Sequence, residues 1–255
     1  MLFDTHAHLD DEAFALDKET VISGLPGKGI ARVMNVGYSL ESSRECVATA
    51  EKYPFVYAAV GTHPDTADEV NEDVLAEYAA LCRHEKVKAI GEIGLDYHYE
   101  TVPRQVQKQA FSMQMELAQQ LCLPVIVHER DAHADGLEIV KQFPGVTGVF
   151  HCYSGSREMA LQLVKMGWYI GFTGVLTFKN ARVAVEVASA LPIERIVLET
   201  DCPYMAPEPF RGKRNDPGYL YRMAEKLAEI KGLSVAEIHK ITTENACRLY
   251  RMEKV

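Results

Sequence analysis

The segment DTHAHLD at residues 4–10 follows the apolar residues Leu2 and Phe3, and it therefore marks the end of the first predicted strand. Side chains two residues apart on a strand point to the same face, so His6 and His8 are expected to project together. Two neutral imidazoles side by side can hold a metal ion, but a histidine at a strand end is more often a hydrogen-bonded structural residue. The pair predicts a metal site only if ligands from other parts of the chain join it.

The composition is that of an ordinary soluble globular protein, with 255 residues of which 47% are hydrophobic and 25% are charged. No stretch approaches the roughly 18 uninterrupted apolar residues that a membrane helix needs. The N-terminus also lacks the basic segment and apolar core of a secretory signal. We therefore expect a cytoplasmic protein that makes no membrane contact.

The cysteine pattern and the net charge exclude several classes of protein. The six cysteines are scattered without a C-x-x-C pair, which argues against a zinc ribbon, a redox motif or a disulfide framework. A formal charge of -9 disfavours a broad nonspecific surface for nucleic acids, because such surfaces depend on Lys and Arg. Any contact with nucleic acid must be local, or must be made through a metal.

Short apolar runs alternate with longer amphipathic segments along the chain, and no linker or low-complexity segment divides it, so we predict a single domain over residues 1–255. The predicted strands are 2–5, 31–36, 56–60, 88–90, 124–127, 148–150, 168–172 and 195–198. The predicted helices are 41–52, 72–84, 104–121, 135–142, 157–166, 181–190 and 218–230. A further helix is expected after the capping-box residues Ser234 and Glu237.

Eight nearly continuous apolar strands separated by helices imply parallel strands that are buried on both faces. This α/β pattern predicts a (β/α)8 barrel of the TIM type. A doubly wound open sheet is the alternative, but it usually carries a glycine-rich phosphate turn after the first strand, and residues 4–10 contain no glycine. Barrel enzymes place their active sites at the carboxyl ends of the strands, so polar residues are expected to meet there.

Six residues at or near predicted strand ends are of types that bind divalent cations: His6, His8, Glu92, His128, His151 and Asp201. Each would destabilise an apolar barrel interior unless it were paired or coordinated. Six ligands exceed the three that a catalytic zinc takes from a protein, and they suit two cations that share a bridging carboxylate.

We therefore expect two bound cations at the barrel mouth. Glu92 is predicted to bridge them, with His6, His8 and Asp201 on one ion and His128 and His151 on the other. Such a pair can activate a water molecule for hydrolysis.

Several motifs together resemble the TatD family of metal-dependent deoxyribonucleases within the amidohydrolase-like barrels. They are DTHAHLD, GTHP, GEIGLDY, PVIVHER, FHCYSG, ETDCPY and RGKRNDP, and the resemblance extends from Phe3 to TENACRLY at residues 243–250. It implies a (β/α)8 fold, the same metal positions, and a cytoplasmic Mg²⁺-stimulated nuclease, often a 3′ to 5′ exonuclease, with a role in DNA repair or fragment clearance. Imidazole-rich ligation, in contrast, suits Zn²⁺ or Mn²⁺.

Catalytic roles are predicted for Asp201, Glu92 and His63. Asp201 is a candidate general base that also binds a metal, a role that rests partly on the resemblance. His63 could contact the scissile phosphate or the leaving oxygen, or it could be a structural histidine in the GTHP turn. Asp96 and Glu199 could orient a ligand imidazole, and Asp96 could instead cap a turn.

Substrate binding is predicted for a basic loop and for two residues that follow ligand strands. Arg211, Lys213 and Arg214 lie together in PFRGKRNDP, where they could hold a phosphate backbone or could be ordinary solvated charges. Arg130 and Tyr153 could reach the substrate or brace the mouth. The aromatic residues of the predicted mouth could stack on unpaired bases or pack over the rim: Tyr97, Tyr99, Tyr153, Tyr204 and Phe210.

The sequence thus favours a two-metal phosphodiesterase that acts on DNA, as single strands or at 3′ ends. One alternative is an amidohydrolase or esterase that cleaves a small C–N or C–O substrate, which would not need the basic loop. Another is a non-catalytic metal-binding scaffold, for which missing ligands would be expected. The sequence does not determine the oligomeric state.

Overall fold

The computed structural model describes residues 1–254, and eight strands form one parallel sheet in which spatial order follows chain order. The strands are β1 Leu2–Ala7, β2 Ile30–Val36, β3 Val56–Val60, β4 Val87–Asp96, β5 Val125–Arg130, β6 Gly148–Phe150, β7 Tyr169–Phe172 and β8 Ile196–Leu198. The helices are α1 Lys18–Gly24, α2 Leu40–Lys52, α3 Glu72–Leu81, α4 Arg104–Leu121, α5 His133–Lys141, α6 Arg157–Lys165, α7 Arg182–Ala190, α8 Leu220–Lys231 and α9 Val235–Leu249.

The sheet closes where the chain beyond β8 meets the end of β1. The amide of Asp201 donates to the carbonyl of His6 at 2.9 Å, and the amide of His8 donates to the carbonyl of Cys202 at 2.8 Å. Ala7 and Cys202 form a parallel bridge between these two hydrogen bonds. The predicted (β/α)8 barrel is therefore confirmed, and its closing hydrogen bonds lie beside three of the predicted ligands.

The predicted elements correspond closely to the observed ones, although several bounds differ, as in β5, which ends at Arg130 rather than at residue 127. Helix α1 was not predicted, because its seven residues are too few to show a clear period. Strand β4 has ten residues where three were predicted, since Glu92 and two glycines interrupt its apolar run. Helix α3 ends at Leu81 rather than at residue 84. The capping box between Ser234 and Glu237 is present at the start of α9.

None of the helices in residues 1–254 combines the length and the apolarity needed to cross a bilayer.

The barrel interior is filled by one layer of side chains and is closed from below by the end of α9. Each strand contributes to this layer: Phe3, Met34, Ala59, Ala89, Ile126, Val149, Tyr169 and Val197. Ala246 and Tyr250 pack against the layer from α9. Alternate strand residues such as Val33 and Ile90 belong to a separate cluster that packs against the surrounding helices. The apolar lower layer leaves the upper part of the interior for polar groups.

Strands β1 and β4 each carry an extra residue that reverses the side-chain alternation. Asp4 and Ala7 pair with Val33 and Asn35 of β2, so three steps on β1 face two steps on β2. The bulge turns His6 into the barrel, although strict alternation from the inward-facing Phe3 would direct it toward the helices.

The same irregularity occurs in β4, where Ile90 and Ile93 pair with Val125 and Val127 of β5. The extra residue directs Glu92 into the barrel. The two irregular strands therefore supply ligands from opposite parts of the barrel.

Glycines on both sides of Glu92 permit the bulge in β4. Gly94 has a φ of +142°, and a Cβ atom at this position would lie 1.9 Å from the carbonyl oxygen of His128. A Cβ atom on Gly91 would lie 2.6 Å from the Cβ atom of Ile126. No other residue fits these positions, so the glycines of the GEIG motif are the sequence signal for the bulge.

Tyr250 offers a test of how the lower end of the barrel is closed. Its ring is 1% exposed, and its hydroxyl donates to the carbonyl of Thr5 at 2.9 Å. We expect Tyr250→Phe to lower the free energy of unfolding by about 1–2 kcal/mol, because a buried acceptor loses its donor. Tyr250→Ala should cost about 3–5 kcal/mol, because it also leaves a cavity.

Urea-induced unfolding would measure both values, with Tyr221→Phe on the exposed face of α8 as the matched control. The control should change stability by less than about 0.5 kcal/mol. Equal stabilities of Tyr250→Phe and the unsubstituted protein would show that the hydrogen bond does not hold α9 to β1.

Candidate metal centre

The six predicted ligands converge at the carboxyl ends of the strands, around the carboxylate of Glu92. They come from five separate strands or from residues within three positions of their ends, as the barrel prediction required. All but His128 are buried: His6, His8, Glu92, His151 and Asp201. This position also corresponds to the end of the barrel at which enzymes of this fold carry their active sites.

One oxygen of Glu92 faces the two histidines of β1 and Asp201. Its Oε2 atom lies 3.3 Å from Nε2 of His6 and 3.5 Å from Nε2 of His8. The Oδ1 atom of Asp201 lies 3.8 Å and 3.5 Å from the same two nitrogens. Four ligands at about 2.1 Å from a tetrahedral cation would be about 3.4 Å from one another. These four side chains are thus spaced to hold one cation.

The other oxygen of Glu92 faces a second pair of histidines. Its Oε1 atom lies 2.9 Å from Nδ1 of His128 and 2.8 Å from Nε2 of His151. These two nitrogens are 3.2 Å apart. Because its two oxygens face two different sets of donors, Glu92 occupies the place of a bridging carboxylate.

The orientation of His8 fits a metal ligand. Its Nδ1 atom lies 2.9 Å from the backbone carbonyl of Val36, which can only accept a hydrogen bond, so Nδ1 carries the proton. In the neutral imidazole the lone pair of His8 is therefore on Nε2, which faces Glu92 and Asp201. A hydrogen bond that fixes the distal nitrogen in this way is typical of a metal-bound histidine.

The charges of the cluster shift the pKa values of its members. Burial opposes a charge on His128, but the hydrogen bonds that the imidazole donates to Asp96 and Glu92 outweigh it and raise the pKa to about 10. Burial also opposes a charge on His8, whereas Asp201 and Glu92 raise the pKa to about 9. The pKa of His6 falls to about 4 because of burial and of the charge on His151. Protons on His8 and His128 therefore compete with a cation for the ligand nitrogens.

Asp96 contacts the imidazole of His128 and also caps the turn after β4. Its Oδ2 atom lies 3.1 Å from Nε2 of His128, so it can orient that imidazole. Its Oδ1 atom accepts hydrogen bonds from the amides of His98 at 2.8 Å and Tyr99 at 3.2 Å, which caps the turn after β4.

Glu199 lies fully buried below the centre. Its Oε1 atom accepts from the amide of Cys152 at 2.5 Å but lies 3.7 Å from Nδ1 of His151, too far for a direct hydrogen bond. Burial raises the pKa of Glu199 to about 7. A Cβ atom on Gly171 would lie 2.6 Å from the carboxylate, so only glycine leaves room for it.

His63 is held by the GTHP turn and faces the ligand cluster. Its Nδ1 atom accepts from the amide of Asp65 at 3.2 Å, which holds the imidazole to the GTHP turn. Its Nε2 atom faces Oε1 of Glu92 at 3.7 Å, and its ring lies 4.4 Å from that of His128. The imidazole thus borders the second set of donors.

A cavity of about 900 Å³ opens above the cluster, and it brings Arg130 and Tyr153 to the site. The guanidinium of Arg130 lies 4.9 Å above the ring of Tyr99, which also lines the cavity. Tyr153 is buried, and its hydroxyl donates to the carbonyl of Ser156 at 2.8 Å. Tyr38, which follows β2, lines the cavity although no sequence signal distinguished it.

The basic loop does not line this cavity. Both terminal nitrogens of Arg214 donate to the carboxylate of Asp17 at 2.7 Å. The guanidinium of Arg211 lies 4.3 Å from the centre of the Phe178 ring. Lys213 is exposed, also away from the cavity-lining residues. The structure therefore separates these three cations from the predicted ligands, although RGKRNDP follows the last ligand closely in sequence.

Two aromatic residues of the predicted mouth are engaged in other contacts. Phe210 stacks on Tyr219 with 4.2 Å between the ring centres. The hydroxyl of Tyr97 donates to Asp135 at 2.6 Å. Tyr99, Tyr153 and Tyr204 line the cavity, so the structure brings three of the five predicted aromatic residues to it.

Residues 3–251 match the family model described as TatD related DNase. The chain belongs to the TatD family. It is 45% identical to the uncharacterized metal-dependent hydrolase YabD of Bacillus subtilis, over 99% of this chain and 100% of the relative. It is 33% identical to the 3′-5′ ssDNA/RNA exonuclease TatD of Cronobacter sakazakii, over 98% and 97% of the two chains.

A solved structure supports the same assignment. The TatD homologue YJJV of Escherichia coli superposes with a TM-score of 0.92 at 30% identity, over 99% of this chain and 98% of the homologue. The resemblance found in the sequence motifs is thus confirmed, and the protein is a TatD-family metal-dependent hydrolase.

Proton release should accompany metal binding by this TatD-family centre. At pH 7, His8 and His128 are protonated, since their pKa values are about 9 and about 10. A cation must displace these protons, so its affinity should increase with pH and level off above about 10. Calorimetric titration with Mn²⁺ in buffers of different ionisation enthalpy would count the protons released.

The expected value is at least two protons per chain, one from each of these histidines, and His151, whose pKa Glu92 raises despite burial, adds to this number. His128→Gln should release one fewer, whereas His84→Gln, which lies away from the site, should not change the number. A binding heat that is the same in all buffers would contradict this expectation.

Proposed function

We propose that this chain is a nuclease that hydrolyses phosphodiester bonds at single-stranded DNA ends, with two divalent cations at the barrel mouth. The observation that carries the proposal is the position of Glu92, whose two oxygens face separate sets of donor atoms at 2.8–3.5 Å. Paired cations at such a carboxylate are suited to in-line displacement at phosphorus. A scaffold protein would have no need to bury this many imidazoles and carboxylates at one place, because their burial is costly without a bound cation.

The ligand sets follow from these distances. His6, His8 and Asp201 would hold one cation and His128 and His151 the other, with Glu92 between them. Cations in this arrangement supply positive charge to a phosphoryl oxygen and lower the pKa of a nearby water molecule. The imidazoles suit Mn²⁺ or Zn²⁺, while the carboxylates also accept Mg²⁺.

Asp201 is suited to accept the proton of the attacking water. Burial alone would raise its pKa, but the hydrogen bond with His8 and the nearby imidazoles lower it below the ordinary value. The carboxylate is therefore ionised at neutral pH, and it lines the cavity where a substrate would enter. His63 lines the same cavity and could contact the leaving oxygen.

The residues that line the cavity favour the end of a DNA strand as the substrate. Among the described residues that line it, Arg130 is the only cationic side chain other than the imidazoles. Phosphate contacts would thus be concentrated at the cations and at Arg130, and a long polyanion would find few further partners. The name of the Cronobacter sakazakii relative, a 3′-5′ ssDNA/RNA exonuclease, agrees with this reading and supports 3′ to 5′ polarity.

Asp201→Asn tests the proposed reaction. With Mg²⁺ or Mn²⁺, the unsubstituted protein should shorten single-stranded DNA that is labelled at its 5′ end. Asp201→Asn should reduce this rate by about 10²–10⁴-fold, because the amide cannot accept the proton. Asp68→Asn, on the exposed surface, is the matched control and should retain full activity. Metal-dependent shortening that survives in Asp201→Asn would contradict the assigned role.

A second comparison separates Arg130 from the basic loop. Arg130→Gln should raise the KM for a DNA strand about tenfold, the expected loss of one charge-assisted contact to phosphate. Arg214→Gln should leave the KM unchanged and lower the melting temperature slightly, because it breaks the ion pair with Asp17. The reverse pattern, measured by steady-state kinetics and thermal melts, would place phosphate binding in the loop.

A further inference from the structure

Exposed apolar side chains are concentrated at the mouth of the barrel. Nine large hydrophobic residues in the described part of the chain are exposed, and five of them line the cavity: Tyr38, Tyr99, Val183, Tyr204 and Met205. Exposed apolar surface that clusters in this way marks a binding site rather than chance exposure. The metal cluster does not account for it, because none of these five residues is among the six predicted ligands.

One side of the cavity forms a continuous apolar wall. It is built from the end of β7, the 3-10 turn Gly174–Thr177 and the beginning of α7, and we call it the β7–α7 wall: Phe172, Val175, Leu176, Ala181, Val183 and Ala184. Two polar residues of the same segment, Thr173 and Asn180, also line the cavity, and the other lining residues between positions 172 and 184 are apolar.

Backbone packing holds the wall in place. A Cβ atom on Gly174 would lie 1.9 Å from the carbonyl oxygen of Met205, so the turn packs directly on the loop after β8. The hydroxyl of Thr177 donates to the carbonyl of Gly174 at 2.7 Å and accepts from the amide of Glu208 at 2.9 Å. The wall is thus a preformed surface.

The wall begins next to the metal centre. Strand β7 lies between β6, which precedes His151, and β8, which precedes Asp201. A phosphate at the ligand cluster would therefore have the wall beside it in the same cavity. The substrate group that reaches the wall is the one attached next to the scissile phosphate.

We propose that the β7–α7 wall is the subsite for the unpaired base of the nucleotide next to the scissile phosphate. The inference rests on the nuclease function proposed above. A base presents a flat, largely apolar face and can be bound without a cation, whereas the sugar-phosphate backbone cannot satisfy its charge on this surface. With so few polar groups, the wall recognises the presence of a base rather than its identity.

The volume of the cavity limits its occupant to a strand end. About 900 Å³ is at the upper end of the range for small-ligand pockets and holds one or two nucleotides. A paired base could not present its face to the wall. The subsite thus predicts a preference for single strands, because only an unpaired base can contact the wall.

An abasic substrate tests the subsite directly. Two single-stranded decamers with 5′ labels would be compared in Mn²⁺, one ordinary and one with an abasic residue at its 3′ end. The KM for the ordinary strand should be about tenfold lower, as expected for one stacked base. Val183→Asp should abolish this difference, because it places a charge in the apolar wall.

Val235→Asp is the matched control. Val235 is 38% exposed and Val183 is 53% exposed, and each lies within the first two residues of a helix, but only Val183 lines the cavity. The control should keep the full preference for the strand with a base. Ala184→Phe, which narrows the space above the wall, should raise the KM for the ordinary strand more than that for the abasic one.

The outcomes separate this inference from the proposed function. Equal KM values for the two strands would overturn the base subsite and leave the nuclease proposal intact. If no phosphodiester is cleaved, the nuclease proposal fails, and calorimetric binding of dAMP and deoxyribose 5-phosphate tests the wall alone. Tighter binding of dAMP that is lost in Val183→Asp would support the subsite, whereas equal binding would overturn it.

Discussion

The structure depends on one buried carboxylate, that of Glu92, surrounded by imidazoles inside a closed barrel. A carboxylate that is 3% exposed is strongly destabilising unless positive charge or hydrogen-bond donors compensate it. His151 and His6 lower its pKa well below the usual range despite burial, so the group stays ionised. The cluster can balance this charge with protons or with cations, and this is the physical basis of a centre that takes up metal.

The barrel is arranged so that this charged cluster lies above an apolar floor. Side chains from all eight strands fill the lower interior, and the end of α9 closes it with Tyr250. The bulges in β1 and β4 then reverse the alternation, so that His6 and Glu92 enter the upper interior where apolar residues would otherwise continue. Regular strands would have placed both side chains against the helices. The two bulges are therefore the positions at which the strands direct predicted ligands into the barrel.

The mouth above the centre has two chemically different sides. Carboxylates and imidazoles surround the centre itself, with Arg130 as the additional cation, whereas the β7–α7 wall is apolar. A substrate that satisfies both sides needs an anionic group for the centre and a neutral planar group beside it. A nucleotide at the end of a single strand has this combination, and a small amide or ester has only part of it.

The sequence by itself determined the barrel, most of its strands and helices, and the six residues that surround the centre. These features are local, because each ligand directly follows or interrupts an apolar run, and parallel strands must bring their ends together. Only the tertiary structure decided which way His6 and Glu92 point, because a bulge is defined by the register with a neighbouring strand. It also decided that Arg214 pairs with Asp17, 197 residues away in sequence, and lies apart from the cavity. Long-range contacts of this kind leave no periodic signal in the sequence, since they form only when the closed barrel brings distant loops together.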